Sequence, residues 1–339
     1  MSASHTASGC SKTGALAQLL GSAVGPFLGL LLVIGLFWVA DAVFGRGNFA
    51  TPKNARLVLV QSTTVAMAAL GMTIIIISGG IDLSAGTAMA LSATVLAWCL
   101  KENYGAAAAV AAGIATGCLA GLINGVLISL LRVVPFIITL GTMTIFLGLG
   151  KILGENTIVR PLAEQVPWWL GEFLMPRPDP WWLILPPGVW LLIVLAVAVA
   201  VMLRYTVFGR HVVAVGSSEP TARLCGINVP LTRIAVYTLA GFFIGMAGMC
   251  QFSRLSVGDP TSGLGKELLV IAAVVIGGGS LGGGRGSVIG TLTGALTMQV
   301  ISSGCTALSL PNPIQEIIIG TIIVAAVTLD QFRQRHGAK

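Results

Sequence analysis

The sequence predicts an all-α, polytopic membrane protein, and three observations support this prediction. Hydrophobic residues make up 55% of the 339 residues and charged residues only 9%, whereas about a quarter of the residues in a soluble domain are charged. The apolar residues form repeated continuous runs, and a run of roughly 20 apolar residues spans the hydrocarbon core of a bilayer. Because the runs are continuous rather than alternating, they favour helices over a transmembrane β-barrel.

Hydropathy predicts about ten transmembrane helices within one domain, residues 22–330. Residues 1–21 are interpreted as a retained polar tail rather than a removed signal peptide, and residues 331–339 as a second tail. We expect the eighth and shortest span to extend into the glycine stretch that follows it. The ten spans are 22–44, 57–79, 84–100, 106–131, 134–153, 184–203, 231–253, 267–279, 286–303 and 313–329.

Two of the connections between spans are long. Residues 154–183 carry mixed charge and two tryptophan pairs, Trp168–Trp169 and Trp181–Trp182, which are typical of anchors at the membrane interface. Residues 204–230 are polar and basic. An even number of spans puts both termini on one side of the membrane, and we expect that side to be the cytoplasm. Residues 204–230 then lie inside and residues 154–183 outside.

Glycines at helical spacing predict close packing between spans. A four-residue repeat places them on one helical face, where the absence of side chains permits close backbone approach. They are Gly113, Gly117, Gly121 and Gly125 in the fourth span, Gly241 and Gly245 in the seventh, and Gly290 and Gly294 in the ninth.

Several functions are disfavoured by the residues present. The net charge of +7 comes from scattered Lys and Arg residues rather than from the single stripe typical of nucleic-acid binding. The glycine run 277–286 matches G-x-G-x-x-G and nearly a P-loop, but Arg285 stands where a P-loop has lysine and the acid of a dinucleotide site is missing. No His, Cys or acid cluster has metal-ligand spacing. We therefore expect a chain without catalytic residues, metal or bound cofactor.

A lone acid follows the second span, in the stretch SGGIDLSAG. Gly79 and Gly80 permit a sharp break, and Asp82 or Ser84 can cap the next helix by accepting hydrogen bonds from its first N–H groups. We interpret these four residues as a structural helix break and cap, with a substrate ligand at Asp82 as the alternative.

Five stretches together resemble one known family over residues 25–330. They are GMTIIIISGGIDLSAG (71–86), FGRHVVAVGSSEPTARLCGINV (208–229), DPTSGLGKEL (259–268), AAVVIGGGSLGGGRGSVIGTLTGAL (272–296) and VTLD (327–330). In combination they are similar to the permease subunits of ribose-type ATP-binding-cassette (ABC) sugar importers, a family of inner-membrane components of binding-protein-dependent transport systems.

This resemblance implies a subunit that moves a monosaccharide across the bacterial inner membrane. It implies cytoplasmic ABC ATPase subunits that use ATP and Mg²⁺, a periplasmic sugar-binding protein, and a second permease copy, either identical or a close paralogue. It also implies that a coupling helix docks into the ATPase. The residues assigned to that helix are Ser218, Glu219, Thr221, Ala222, Arg223 and Gly226.

Elementary helix chemistry agrees with that assignment. Ser217 or Ser218 can cap a short helix that Gly226 terminates, and Glu219 and Arg223 lie four residues apart, on one helical face.

Polar residues on otherwise apolar spans are candidates for the sugar path, because sugar hydroxyls need neutral donors and acceptors. Hydrogen bonding between helices explains each of them equally well. The alternatives for function are a sugar-derived signal molecule or a polyol as the substrate, a facilitator that works without an ATPase, and, less favoured, a membrane enzyme. The candidate path residues are Gln61, Thr63, Thr64, Asn124, Thr139 and Thr142.

Overall fold

The chain folds as a helical bundle in a computed structural model that describes residues 12–44, 47–175 and 185–337. Val159 and Gly258 form an isolated antiparallel bridge, the only β pairing within these ranges. The helices are α1 (Lys12–Phe44), α2 (Pro52–Ile77), α3 (Ala85–Lys101), α4 (Ala106–Leu131), α5 (Pro135–Leu153), α6 (Trp168–Gly171), α7 (Pro187–Tyr205), α8 (Val207–Ser217), α9 (Glu219–Leu224), α10 (Val229–Leu255), α11 (Lys266–Ile276), α12 (Val288–Ala307) and α13 (Asn312–Gly337).

Each of the ten predicted spans corresponds to one of these helices, so the prediction of a polytopic all-α protein is confirmed. Within the described ranges, seven helices are long and apolar enough to cross a membrane, and α3 and the apolar part of α13 are shorter. The first helix begins at Lys12, inside the predicted tail, and the last continues to Gly337. Of the two tryptophan pairs, Trp168 and Trp169 are exposed, while Trp181–Trp182 lies outside the described residues.

Two features of the predicted organisation are corrected. The polar connection 204–230 contains the helix α8, which hydropathy alone does not detect because it has only 11 residues and includes polar ones. The eighth span does not extend into the glycine stretch, since α11 ends at Ile276 and Gly278 has a φ of 88°. A right-handed α-helix cannot continue through a residue with a positive φ.

The second helix forms the centre of the bundle. Its C-terminal half is continuously buried from Ala66 to Ile77, and the helix packs against α10, α11 and α12. By contrast α1, α5 and α7 have apolar side chains along an exposed face, such as Leu32 and Ile152. The bundle therefore has α2 at its centre, surrounded by other helices. The helices α1, α5 and α7 lie at its outside and face the lipid.

Glycines form a tight seam between α4 and α10. A Cβ atom on Gly117 would meet the backbone of Gly241 and Gly245, and one on Gly121 would lie 2.9 Å from the carbonyl carbon of Tyr237. The two backbones therefore lie closer together than any side chain at these glycines would permit. The predicted close packing of the two helices is confirmed.

The segment before α11 packs along α3. Gly258 lies against Thr94 and Gly263 against Gly86, so residues 256–265 run antiparallel along α3. Only 11 residues remain for α11, about 16 Å of helix, which is roughly half the thickness of the bilayer core. Glu267, in its first turn, is buried beside the start of α3.

Replacing Gly121 with alanine is expected to destabilise the protein, because the added methyl group would collide with the backbone of Tyr237. Overpacking of this kind costs about 1–3 kcal/mol. Gly141→Ala is the matched control, since nothing lies within 4 Å of a Cβ on Gly141. Thermal unfolding of the purified protein in detergent should give a lower Tm for Gly121→Ala only. Equal Tm values would contradict the glycine seam.

Candidate functional site

The turn between α2 and α3 is built around Asp82. After Ile77 the chain reverses through Gly79, which has a φ of 81°. Asp82 is buried, and its Oδ1 accepts hydrogen bonds from the N–H and the hydroxyl of Ser84 at 2.8 and 2.6 Å. Ser84 occupies the N-cap position of α3, but its hydroxyl is used to bind Asp82. The carboxylate therefore stabilises the turn immediately before the helix.

Three other helices hold this turn in place. Asn124 of α4 donates to the Ser84 hydroxyl at 2.8 Å. Tyr237 of α10 donates to the carbonyl of Ile81 at 3.3 Å, and the hydroxyl of Thr139 on α5 lies at the same distance from that carbonyl. Among the described residues, no group of three or more His, Cys, Asp or Glu side chains could hold a metal ion. The geometry places Asp82 in a structural turn, but the predicted capping role of Ser84 is wrong, because its side chain makes no cap hydrogen bond to α3.

The predicted coupling residues form one short helix, α9, between α8 and α10. Ser218 is its N-cap residue and accepts a hydrogen bond from the N–H of Thr221 at 3.4 Å. Gly226 follows the helix with a φ of 81°, and its N–H donates to the carbonyl of Arg223 at 3.0 Å. A residue in this left-handed conformation commonly ends a helix. The start and the end predicted from the sequence are therefore where the structure has them.

An apolar contact fixes one face of α9 and leaves the other free. Ala222 is buried against Val215 of α8 and Val229 of α10. On the other side Leu224 is 90% exposed. The helix thus presents Arg223 and Leu224 outward from a fixed base.

Glu219 forms two ion pairs, one within α9 and one that links α9 to α10. Its carboxylate accepts from Arg223 at 2.6 Å within α9 and from Arg233 at 2.5 Å on α10. Burial raises the pKa of the Glu219 carboxyl, but the hydrogen bonds and charges of the two arginines outweigh this effect and the net pKa lies below its usual value. Glu219 is therefore ionised at neutral pH and both pairs form.

Sequence reasoning missed Arg233. It predicted the pair between Glu219 and Arg223 from their helical spacing, whereas Arg233 is 14 residues from Glu219. The signal that could have found it is the tight turn at Gly226, because a sharp reversal brings the first turns of the next helix back beside α9.

A set of backbone contacts, which we call the glycine junction, joins α8 to the C-terminal end of α2. It consists of Gly79, Gly216, Gly283 and Gly284. A Cβ on Gly216 would collide with the carbonyl oxygen of Ile77, and one on Gly283 would lie 3.0 Å from Gly79 Cα. The N–H of Gly284 donates to that same Ile77 carbonyl at 2.8 Å.

The glycine junction explains the glycine run that imitates a nucleotide motif. The run forms the loop between α11 and α12, and its positive-φ residues Gly283 and Gly284 lie against α8. One of its N–H groups, which a P-loop would direct at a phosphate, binds Ile77 instead.

The six candidate path residues do not form one cluster. Thr63, Thr64, Asn124, Thr139 and Thr142 are buried inside the chain, and two of them, Asn124 and Thr139, contact the Asp82 turn. Gln61 differs from these five, since it accepts a hydrogen bond from Gln299 and lines a cleft of about 380 Å³ together with Asn54 and Ser303. That cleft lies between α2 and α12, at the ends opposite the glycine junction.

The fold and the α8–α9 segment together define a multi-pass membrane protein with a protruding helix anchored to its core. A model of the family described as branched-chain amino acid transport system / permease component matches residues 54–327. The chain therefore belongs to this permease family, and its resemblance to the ribose-type ABC permeases is confirmed.

Individual relatives cover most of the chain. It is 37% identical over 287 residues to the ribose import permease protein of Escherichia coli (strain K12), which covers 85% of this chain and 88% of that protein. Identity to the ribose import permease protein of Bacillus subtilis (strain 168) is 35% over 308 residues, or 91% and 92% of the two chains. The fructose import permease protein of Rhizobium meliloti is 32% identical over 309 residues, or 91% and 86%. No solved structure matches the chain.

Replacing Gly216 with alanine is expected to separate α8 from α2, because the methyl group would occupy the position of the Ile77 carbonyl oxygen. The loosened segment should then be cleaved faster by trypsin after Arg210 and Arg223. Gly148→Ala is the control, since a Cβ there has nothing within 4 Å. Equal cleavage rates in the two variants would contradict the glycine junction.

Proposed function

We propose that this chain is the membrane-spanning subunit of an ATP-driven importer for a monosaccharide of the ribose type. The observation that carries the proposal is the combination of the α9 geometry with the names of the relatives. Those relatives are import permeases for ribose and fructose, and the L-arabinose permease of Azospirillum brasilense is 34% identical over 291 residues. A sugar-derived signal molecule or a polyol is the alternative substrate for the same architecture.

The proposed assembly contains two permeases, either identical or paralogous, with cytoplasmic ABC ATPase subunits and a periplasmic sugar-binding protein. ATP and Mg²⁺ are used by the ATPase subunits, and this chain binds no cofactor. Both termini lie in the cytoplasm of a bacterial cell and the chain resides in its inner membrane. In this orientation α9 faces the cytoplasm, and the cleft beside Gln61 faces the periplasm.

In the proposed mechanism α9 is the coupling helix. ATP-driven movement of the ATPase displaces Arg223, Leu224 and their neighbours, which the structure leaves exposed. One connection carries the displacement through Glu219 and Arg233 into α10. A second connection carries it through α8 and the glycine junction to α2 and the loop before α12. A facilitator without an ATPase would have no need of these two connections.

Gln61 is the path residue that the geometry supports best. Its cleft is lined mainly by neutral amide and hydroxyl groups, including Asn54, Ser303 and Thr306, with Lys53 as the charged exception. Neutral donors and acceptors suit sugar hydroxyls. The other five candidates remain proposed path residues for a conformation in which the helices separate.

Glu219→Lys and Gly226→Val are expected to release or uncouple the ATPase. The first places three positive charges together, and the second forces a β-branched residue into a left-handed conformation, which costs about 1–3 kcal/mol. ATPase co-purification and sugar-stimulated ATP hydrolysis in vesicles should fall on the order of tenfold, as for like charges brought together at an interface. Glu155→Lys, an exposed charge reversal at the far end of α5, is the control.

Full stoichiometry and full stimulation in both coupling variants would show that α9 is not the coupling helix, while leaving the fold intact.

Gln61→Ala should impair sugar uptake with the complex still assembled, because it removes an amide that faces the cleft. Asn124→Ala should impair both uptake and thermal stability, because it also removes the bond to Ser84. Uptake by both variants at the original rate would remove these residues from the path.

A thermal-shift screen of the partner binding protein against monosaccharides, polyols and sugar-derived signals identifies the substrate independently.

A further inference from the structure

A basic cleft lies beside α9, between the turn that joins α4 to α5 and the first turns of α10. We call it the arginine cleft. It has a volume of about 340 Å³, and Ser129 closes one side of it by donating a hydrogen bond to the carbonyl of Pro230 at 3.2 Å. Its charged lining residues are Arg132, Arg223, Arg233 and Glu219.

The charges in the arginine cleft do not balance. Three arginines face one glutamate, and both oxygens of that glutamate already bind Arg223 and Arg233. Arg132, the left-handed C-cap residue of α4, makes no ion pair within the part of the chain that the structure describes. The lining therefore has two unmatched positive charges, and an anion is the complementary ligand.

The start of α5 adds to this positive field. Val134 and Pro135 form part of the cleft wall, and they are the N-cap and first residues of a 19-residue helix. The apolar side chain of Val134 cannot accept hydrogen bonds from the first N–H groups of that helix. The positive end of a helix without a side-chain cap favours a phosphate or another anion beside it.

Exposed apolar side chains lie next in sequence to residues that line the cleft. Leu130 and Leu131 at the end of α4 are 73% and 58% exposed, and Leu231 in the first turn of α10 is 63% exposed. Since α4, α5 and α10 are long enough to cross the bilayer, their ends lie where lipid headgroups meet acyl chains. An acidic side chain of a partner protein would match the arginines but would leave these leucines uncovered.

We propose that the arginine cleft binds the phosphate of an anionic phospholipid whose acyl chains cover Leu130, Leu131 and Leu231. Basic pockets between transmembrane helices bind such headgroups. The consequence for coupling rests on the proposed function of α9, whereas the binding itself does not. Because Arg223 and Arg233 also hold Glu219, a bound phosphate would place the coupling helix under the control of the anionic lipid content of the membrane.

Lipid retention by the full-length permease, purified without its ATPase, tests the binding. The protein is saturated with phosphatidylglycerol, washed with detergent containing phosphatidylcholine, and analysed by mass spectrometry. Arg132→Gln is expected to retain about fivefold less phosphatidylglycerol, the effect of one arginine near an anionic surface. Arg132→Lys should keep most of the lipid, and Arg210→Gln, which removes an exposed arginine of α8 outside the cleft, should retain the original amount.

Equal retention by Arg132→Gln and Arg210→Gln would overturn the proposal. So would an Arg132→Gln variant that keeps its lipid but loses its ATPase subunits on co-purification, since an acidic side chain of the ATPase would then occupy the cleft. Thermal stabilisation by inorganic phosphate equal to that by phosphatidylglycerol would also overturn it, in favour of a free anion. A failure of the Glu219→Lys test would remove α9 as coupling helix without changing these lipid measurements.

Discussion

The close approach of Gly216 to the carbonyl of Ile77 is the constraint on which the arrangement around α9 depends. No side chain fits between the two backbones, and the same carbonyl accepts the N–H of Gly284. Three elements that are far apart in sequence are thereby fixed to one oxygen atom. If α8 stood farther from α2, then α9 would have no rigid base and the glycine loop before α12 would lose its partner.

Glycine contacts of this kind suit a protein in lipid. Helices in a bilayer gain little from the hydrophobic effect when they associate, so close backbone packing and hydrogen bonds must hold them together. The seam of Gly117 and Gly121 against α10 supplies the packing, and Gly71 against the backbone of Ala240 extends it to α2. The bonds from Asn124 and Tyr237 to the Asp82 turn supply the polar part.

Patterns local in the sequence predicted local structure well. Hydropathy predicted ten spans that each correspond to a helix, four-residue glycine spacing predicted the seam, and Ser218 and Gly226 predicted the ends of α9. Such patterns could not predict contacts between residues that are far apart in the sequence. Two contacts depend on how a helix packs after a turn in the chain, and residue spacing does not encode this. They are the ion pair of Glu219 with Arg233 and the contact of Gly216 with Ile77. The helix α8 was missed because its amphipathic composition resembles that of a polar loop.

The packing determines how a displacement of α9 can travel. Arg233 ties α9 to α10, while the glycine junction ties α8 to α2, and α2 and α10 are themselves joined at Gly71. Both connections therefore end in the same closely packed group of helices. Close-packed interiors transmit strain instead of absorbing it, and such groups move as rigid bodies. A displacement of α9 would then move α2, α4 and α10 together relative to the lipid-facing helices, so that access to any polar path would change at the boundary between these two groups.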